Sequence, residues 1–306
     1  MKVGEILFKK ENQRYDLITY ISEEEMTLKD ILLDKLNFSV RSLSKMKREQ
    51  TVLVNKEFKK PSTKIKKGDL IEVKIDEEMA NFMPQDLKFD ILYDDFDLIM
   101  VNKPPFMVVH PTKSHSDNTV ANGVTYYINE KKENVKIRFV NRLDMNTSGL
   151  VIVAKNAYAH HALSNDMSLD NVEKVYIAVV KGVVKKDSGT INLPIFRPSE
   201  DSIKRVVDDK GQASITHYEV LERLNDATVL KLRLETGRTH QIRVHLSHIG
   251  YGIIGDELYG YVDENLINRQ ALHAYSLKFK QPRTKENLEF KADLPEDMKN
   301  LIEKLR

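Results

Sequence analysis

The sequence contains no cysteine among its 306 residues. This absence excludes disulfide bonds, cysteine-ligated zinc, iron–sulfur clusters and a thiol nucleophile. No apolar run approaches the roughly 18 residues of a membrane-spanning helix, and the charged N-terminus lacks the apolar stretch of a secretory signal. We therefore expect a globular protein in the cytoplasm. The length predicts about two domains.

Common nucleotide and metal motifs are absent or occur in the wrong context. The chain has no Walker sequence, no G-x-S-x-G and no H-E-x-x-H. A literal G-x-G-x-x-G spans residues 250–255, but it follows a helical pattern rather than a strand, so Gly250 is predicted to end a helix. The nine histidines lack the spacing of a metal site. The sequence predicts neither a bound metal nor a nucleotide cofactor.

Positive charge is concentrated in one segment of a nearly neutral chain. The formal net charge is only +2, yet residues 27–75 contain thirteen Lys and Arg against six Asp and Glu. This segment therefore carries +7, and the remaining residues together carry −5. A segment of this kind is either a solvated surface or a binding site for a polyanion.

The basic segment has the pattern of a small module of helices and strands. Apolar residues recur at helical spacing over 28–36 and again over 40–46, which predicts two short helices. Alternating residues over 51–54 and 70–75 predict strands. Three basic residues share one face of the second predicted helix: Arg41, Lys45 and Arg48. A phosphate backbone would meet such a face, although a solvated helix face is the commoner explanation.

Residues 28–75 resemble the S-four-like RNA-binding domain. The sequences that carry the resemblance are RSLSK on the second helix, then VLVN, then KKGDLIEV. The resemblance implies that the basic helix face binds RNA. Asn55 and Lys56 stand where that family usually has Asn-Gly, so we expect the turn there to be built differently.

These patterns divide the chain into four parts. We predict an N-terminal extension over 1–26, the RNA-binding module over 27–75, a flexible interdomain linker over 76–90 and a large domain over 91–306. Strand-like runs alternate with a helical pattern over 157–167 in the large domain, which predicts a mixed α+β fold.

Two polar clusters of the large domain are candidates for chemistry. In FVNRLDMNTSGLVIVAK, Arg142 and Asp144 occupy a turn between two apolar strands. In LETGRTHQIRVHL, Thr239 is predicted to cap a helix on which Arg243 lies off the apolar face. Two further donors are close in sequence: Arg238 and His240. A loop carboxylate paired with Arg243 would support an acid-dependent reaction without a cofactor. Local hydrogen bonding within the turn is the alternative explanation.

The same segments resemble the RluA/RluD-type RNA pseudouridine synthases. The strongest similarity lies in NRLDMNTSGLVIVAK, and KVYIAVVKG and LETGRTHQIRVHLSHIGYGIIGDELYG are similar to two further motifs of that family. Weaker matches are DLIMVNKPPFMVVHP and ALHAYSLKF. The resemblance extends from about Pro84 to the C-terminus. It implies an α+β pseudouridine synthase fold, in which a mixed, largely antiparallel sheet surrounds a central catalytic cleft.

The resemblance also implies roles for individual residues. Asp144 corresponds to the catalytic carboxylate, Tyr176 to a tyrosine that packs on the uracil, and Arg243 to the ion-pair partner that orients Asp144. We expect RNA contacts from three neighbours, of which the first helps to displace the target base: Arg142, Arg238 and His240. The implied reaction converts uridines of RNA, above all large-subunit ribosomal RNA, to pseudouridine without a cofactor.

Three residues depart from the family pattern. Asn141 replaces a histidine, Phe106 replaces the glycine that follows N-K-P-x, and Gly252 replaces a proline. Because none of them has an implied catalytic role, we expect activity to be retained and loop shape or target choice to differ. The alternatives are a catalytically silent RNA-binding or ribosome-assembly factor with the same fold and, more remotely, an RNA methyltransferase. The lack of a glycine-rich strand–turn–helix disfavours the methyltransferase.

Overall fold

Two separate β-sheets organise the chain. The computed structural model describes residues 14–75, 82–112 and 114–306. A four-stranded sheet lies within residues 17–74, and a ten-stranded sheet lies within residues 90–291. No helix in the described ranges is long and apolar enough to cross a membrane.

The N-terminal module combines two helices with the four-stranded antiparallel sheet. Its elements are β1 (Leu17–Ile21), β2 (Met26–Thr27), α1 (Leu28–Asp30, continued as a π-helical turn over Ile31–Lys35), α2 (Val40–Glu49), β3 (Val52–Val54), β4 (Glu57–Phe58), β5 (Lys64–Ile65) and β6 (Leu70–Lys74). The strand order is β1-β6-β3-β4, and β2 pairs separately with β5. Each helix begins where a hydroxyl caps it, Thr27 for α1 and Ser39 for α2. Both predicted helices and the predicted strands of the module are confirmed.

The sheet of the module begins earlier than the predicted boundary at residue 27. Strand β1 pairs along its whole length with β6, from Leu17 opposite Lys74 to Ile21 opposite Leu70. Its run LITYI is short, and its partner lies about fifty residues away in the sequence, so the local pattern gave no sign of the pairing. Of the predicted extension, residues 1–13 lie outside the described residues.

The turn between β3 and β4 does not need the family's glycine. Asn55 and Lys56 have φ values of 51° and 70°, the pair of positive angles that a two-residue hairpin turn requires. The Asn55 side chain donates to Asp69 at 2.8 Å and accepts the Leu70 N–H at 2.9 Å, which anchors the turn to β6. The expectation of a differently built turn is therefore wrong, since Lys56 adopts the backbone that glycine would take.

The large domain surrounds its ten-stranded sheet with four helices in the described residues. Its elements are β7 (Asp90–Asp94), β8 (Leu98–Lys103), α3 (Val120–Glu130), β9 (Arg138–Phe139), β10 (Ser148–Ala154), α4 (Ala157–Ser168), β11 (Glu173–Lys181), β12 (Ser188–Asn192), β13 (Ile195–Phe196), β14 (Val206–Val207), β15 (Ile215–Arg223), β16 (Ala227–Leu234), α5 (Gln241–His248), β17 (Leu272–Lys280), β18 (Asn287–Lys291) and α6 (Glu296–Leu305). The sheet runs β12-β15-β16-β11-β17-β10-β8-β7, with β18 beside β17 and β9 beside β10, while β13 and β14 pair apart from it. The predicted mixed α+β fold is confirmed.

The parallel pairing of β10 with β17 lies at the centre of the sheet. The other strand pairs of this sheet are antiparallel, so the sheet is mixed but largely antiparallel. All seven residues of β10 are buried, as expected for a central strand. Gly149 has a φ of 114°, and a Cβ there would lie 2.3 Å from the Ala274 carbonyl oxygen. Glycine thus permits the close approach of the two strands, which brings the loop before β10 next to the loop before β17.

Residues 82–89 pack along α3 rather than forming part of a free linker. The Asn122 side chain donates to the Met83 carbonyl oxygen at 2.8 Å, and the Gln85 N–H donates to the Asn122 carbonyl oxygen at 3.2 Å. Phe89 lies so close to Gly123 that a Cβ there would be 2.3 Å from its ring. The predicted linker is therefore too long at its C-terminal end, and residues 76–81 lie outside the described residues.

A buried arginine docks the module on the large domain. Arg283 is fully buried, and its guanidinium lies 2.7 Å from the carboxylate of the equally buried Asp97. The same guanidinium donates to the carbonyl oxygens of Arg14 at 2.9 Å and Leu17 at 2.8 Å, at the start of β1. An aromatic pair extends the interface: Phe38 and Tyr158, whose ring centroids are 5.0 Å apart. The expectation of a flexibly tethered module is wrong, because the two parts share a packed interface.

Replacing Arg283 by methionine should strongly destabilise the protein, because Asp97 would keep a buried charge without its guanidinium. We expect the free energy of unfolding in urea titrations to fall by about 3–5 kcal/mol. Adding Asp97→Asn should recover part of this loss, since it removes the uncompensated charge. An Arg283→Met variant as stable as the unchanged protein would contradict this role of the pair.

Candidate active site

The two polar clusters predicted from the sequence meet in the folded chain. Asp144 lies in the loop before β10, and Arg243 lies on α5. The Arg243 Nη1 donates to Asp144 Oδ2 at 2.7 Å. The Asp144 side chain is 31% exposed, whereas that of Arg243 is 9% exposed. The carboxylate is thus held from one side by a buried cation and remains accessible from the other.

Asp256 fixes the guanidinium of Arg243 in place. Arg243 Nε and Nη2 donate to the two Asp256 carboxylate oxygens at 2.7 and 2.8 Å, which is a bidentate arrangement. The Asp256 Oδ1 also accepts the N–H groups of Leu258 at 3.0 Å and Tyr259 at 3.1 Å. Burial disfavours the charge of Arg243, but the hydrogen bonds and charge of Asp256, with those of Asp144, raise its pKa. Arg243 therefore stays charged and has little freedom to rotate.

Tyr176 lies in β11, near enough to Asp144 for the charge of that carboxylate to act on its hydroxyl. Burial raises the pKa of Tyr176 to about 12, and the charge of Asp144 adds to the effect. The strand register shifts between Val175 and Tyr176 where β11 pairs with β17. At neutral pH the residue is therefore an uncharged phenol, which offers an aromatic face and a hydrogen-bond donor. Together with Asp144 and Arg243 it completes the three predicted catalytic residues in one place.

His240 lies closer to Asp144 than its predicted role as an RNA contact suggests. Its Nε2 is 3.7 Å from Asp144 Oδ2, and its Nδ1 is 2.9 Å from the Tyr259 hydroxyl. Burial lowers the pKa of His240, so its ring is neutral at pH 7. His240, with a φ of 58°, also precedes the first turn of α5, so the predicted cap at Thr239 is wrong. In its place, the Gln241 side chain accepts the Arg238 N–H at 3.0 Å.

The other residues expected to contact RNA are exposed. Arg142 lies in the loop of Asp144, and Arg238 lies in the loop before α5. Three further residues are exposed on α2 of the module: Arg41, Lys45 and Arg48. Glu49 lies near two of these cations, 3.7 Å from Lys45 Nζ and 2.9 Å from Arg48 Nη2. Their roles in RNA binding stay predictions.

Sequence reasoning missed two charged residues that hold the site together. Asp256 lies in the matched segment IIGDELYG, but nothing in its spacing indicated that it pairs with Arg243. Lys103 is fully buried, and its Nζ donates to the carbonyl oxygens of Pro104, Met107 and Met145 at 2.8–2.9 Å. Burial and the charge of Arg269 lower the pKa of Lys103 to about 7. Lys103 thereby joins the loop of residues 104–107 to the loop that carries Asp144.

The departures from the family pattern are accommodated locally. Asn141 donates to the Leu150 carbonyl oxygen at 3.1 Å and accepts the Ile152 N–H at 2.8 Å, so it attaches the Asp144 loop to β10. Phe106 has a φ of 63°, the left-handed backbone that glycine favours. At Gly252, a Cβ would lie 2.8 Å from the Cα of Gly260. The prediction that Gly250 ends a helix is confirmed, since it follows α5 with a φ of 88°.

The site offers an oriented carboxylate, a neutral imidazole, a neutral phenol and a fixed guanidinium. Within the part of the chain that the structure describes, no group of three or more histidine and acidic side chains could hold a metal ion. The accessible carboxylate can attack an electron-poor carbon as a nucleophile, or it can remove a proton as a base. The phenol is protonated at neutral pH, which suits it to packing and hydrogen-bond donation.

Comparisons with known proteins agree on one family. Residues 97–248 match the family model described as RNA pseudouridylate synthase. The chain is 44% identical to "Uncharacterized RNA pseudouridine synthase YlyB" of Bacillus subtilis, over 83% of this chain and 86% of that one. It is 36% identical to "Ribosomal large subunit pseudouridine synthase D" of Escherichia coli, over 96% of this chain and 95% of that one.

The fold comparison gives the same result. The structure of "Human RNA Pseudouridylate Synthase Domain Containing 1" superposes with a TM-score of 0.57 at 29% identity, over 67% of this chain and 83% of that one. The matched residues 97–248 include both Asp144 and Arg243. From the sequence similarity and the shared fold, we conclude that this chain belongs to the RNA pseudouridine synthase family.

Proposed function

We propose that the chain converts uridines of large-subunit ribosomal RNA to pseudouridine in the cytoplasm, with Asp144 as its catalytic carboxylate. The observation that carries the proposal is the contact between Asp144 and the buried Arg243, which joins two segments 99 residues apart around an accessible carboxylate. The choice of RNA rests on relatives whose names specify the large ribosomal subunit.

The reaction must break the bond between uracil N1 and ribose C1′ and form a bond between uracil C5 and the same C1′. Asp144 either attacks the electron-poor ribose carbon or removes a ribose proton, and in both cases an ionised carboxylate is needed. Arg243 bonds to Oδ2, which leaves Oδ1 as the oxygen outside this ion pair. The fixed guanidinium also keeps the carboxylate from rotating while the base turns. The proton lost from C5 balances the one gained at N1.

The target uridine has to leave its stack before it reaches Asp144. Extrusion of a base costs a few kcal/mol, which contacts to the phosphates and stacking can offset. In this proposal, Tyr176 offers a neutral aromatic face to the uracil, and Arg142, which is exposed on the same loop as Asp144, fills the gap in the stack. These roles are the ones that the sequence resemblance implies.

A catalytically silent RNA-binding or ribosome-assembly factor remains the second candidate. The packed module with its exposed basic helix face would serve such a factor equally well. The buried pairing of Arg243 with Asp256 favours the enzyme, because an RNA-binding surface does not require a carboxylate that is oriented inside a cleft.

Replacing Asp144 by asparagine should abolish the reaction while leaving RNA binding intact, because asparagine keeps the size of the side chain but not its charge. We expect tritium release from RNA labelled at uracil C5 to fall by on the order of 10³-fold. Asp226→Asn, which changes an exposed carboxylate in the turn between β15 and β16, is the matched control.

Two outcomes separate the candidates, and a further experiment tests the choice of RNA. An active Asp144→Asn variant would overturn the role of Asp144. An unchanged protein that binds ribosomal RNA but forms no pseudouridine would favour the silent factor. Mapping pseudouridines in the ribosomal and transfer RNA of cells with and without the protein tests the choice of RNA.

Replacing Asp256 by asparagine should slow the reaction without weakening RNA binding. The amide NH₂ group cannot accept from the guanidinium, so Arg243 would lose one of its two anchoring bonds and hold Asp144 less precisely. We expect kcat to fall by about 10²-fold with little change in KM. Circular dichroism checks that the variant is folded, and a change confined to KM would contradict a positioning role.

A further inference from the structure

A groove lined by cations lies beside the candidate active site. It has a volume of about 480 Å³ and lies between the hairpin formed by β13 and β14 and the loop before α5. Four basic side chains line it: Arg197, Arg205, Lys210 and Arg238. None of the described residues that line the groove is acidic, and Phe196 adds an aromatic ring. We call this feature the basic groove.

The fold separates charges that cancel in the sequence. Residues 195–212 contain four basic and four acidic residues, so the segment has no net charge. The structure places three of the basic residues in the basic groove and none of the acidic ones. Asp208, for example, uses its carboxylate to accept the Lys210 N–H at 2.8 Å within its own turn. The groove is therefore positive although its parent segment is neutral.

Two of the groove arginines are held by carbonyl oxygens rather than by carboxylates. Arg197 Nε donates to the Ser202 carbonyl oxygen at 3.2 Å, and Arg205 Nη1 donates to those of Ser202 at 2.9 Å and Ile203 at 3.0 Å. A carbonyl fixes the orientation of a guanidinium without neutralising it, and each guanidinium has five N–H donors. The guanidinium groups of Arg197 and Arg205 are thus already oriented before a ligand binds, and their positive charge remains available to an anion.

Two residues, Tyr259 and His240, connect the basic groove to the catalytic carboxylate. The Arg205 N–H donates to the Tyr259 hydroxyl at 2.6 Å, and that hydroxyl lies 2.9 Å from His240 Nδ1. His240 in turn lies 3.7 Å from Asp144. An RNA strand has one phosphate per nucleotide, so a strand whose uridine reaches Asp144 has its neighbouring phosphates close to this wall.

We propose that the basic groove binds the phosphodiester backbone of the RNA strand on one side of the target uridine. The inference rests on the proposed function insofar as RNA is the substrate. It adds a backbone-binding site within the large domain to the basic helix face of the module. Through Tyr259 and His240, the same wall positions the bound strand relative to Asp144.

The test measures how RNA binding depends on salt. We compare the unchanged protein with an Arg197→Ala, Lys210→Ala double variant by fluorescence anisotropy, using a single-stranded uridine-containing RNA of about 15 nucleotides. Losing two phosphate contacts should make the negative slope of log association constant against log salt concentration shallower by about 1.4. We expect Kd at low salt to rise at least tenfold. A Lys186→Ala, Lys299→Ala double variant, which changes two exposed lysines outside the groove, should leave both quantities unchanged.

Two arrangements keep the outcome clear. All proteins carry Asp144→Asn, so binding is measured without turnover and the result does not depend on whether the chain is active. The single variant Lys210→Glu repeats the test without removing any hydrogen bond of the groove arginines, so we expect it to fold normally. It should weaken RNA binding more than Lys210→Ala does, because it adds a negative charge. Unchanged affinity and salt slope in both groove variants would overturn the proposal.

A second inference comes from Phe106, which combines a strained backbone with an exposed ring. Its φ is 63°, where a side chain costs free energy that glycine avoids, and the residue is 52% exposed. Its loop is joined to that of Asp144, because Lys103 donates both to Met107 and to Met145. Strained residues that the fold does not require are often kept for function. We infer that Phe106 stacks on a base of the bound RNA next to the target uridine.

Replacement of Phe106 by glycine separates this role from stability. Glycine suits the backbone, so the unfolding midpoint should stay the same or rise, whereas the Kd for the same RNA, measured in the Asp144→Asn background, should rise by about tenfold because base stacking is lost. Phe106→Tyr should behave like the unchanged protein, and Phe106→Leu should bind RNA as weakly as the glycine variant. Leu221→Ala, at another exposed apolar residue, is the control. A Phe106→Gly variant with an unchanged Kd for RNA would overturn the inference.

Discussion

The site depends on one electrostatic constraint, which is that a buried guanidinium must be paired on every side that lacks water. Arg243 is paired with two carboxylates, the buried Asp256 and the accessible Asp144. Asp256 reaches its position because Gly255 turns with a φ of 77°, where a Cβ would lie 2.0 Å from the Arg269 carbonyl oxygen. The need to pair the buried charge of Arg243 therefore explains the backbone conformation at Gly255. The same pairing holds the accessible carboxylate of Asp144 in position.

Cations bound to backbone carbonyls give the irregular loops their shape. Lys103 binds the carbonyl oxygen of Met145, and Arg269 binds that of Asn146 at 3.1 Å while it pairs with Asp297. Neither Met145 nor Asn146 belongs to a helix or strand. The bonds from Lys103 and Arg269 therefore fix the loop backbone, as backbone hydrogen bonds do within helices and sheets. Burial and the charge of Arg269 lower the pKa of Lys103, whereas the three carbonyl oxygens accept one hydrogen bond from each N–H of its ammonium form.

Local pattern was sufficient for most elements and for the residues of the site that lie in contiguous motifs. Helices α2, α4 and α5 follow from apolar spacing, and Asp144 and Arg243 follow from segments rich in family matches. The pairing of β1 with β6, the contact between Arg243 and Asp256 and the docking by Arg283 all join residues whose sequences carry no sign of their partner. Net charge did not reveal the basic groove, because the basic and acidic residues of 195–212 cancel when they are summed along the sequence. The fold places three of the basic residues in the groove and none of the acidic ones.

Docking of the module by Arg283 has a geometric consequence for substrate choice. With β1 bound to the large domain, the basic face of α2 and the carboxylate of Asp144 are held at a constant separation. If both surfaces bind RNA, as the resemblance implies, this docking favours a folded RNA that presents two binding parts at the matching distance and angle. Selection of a uridine would then depend on the tertiary structure of the RNA around it as well as on the bases next to it.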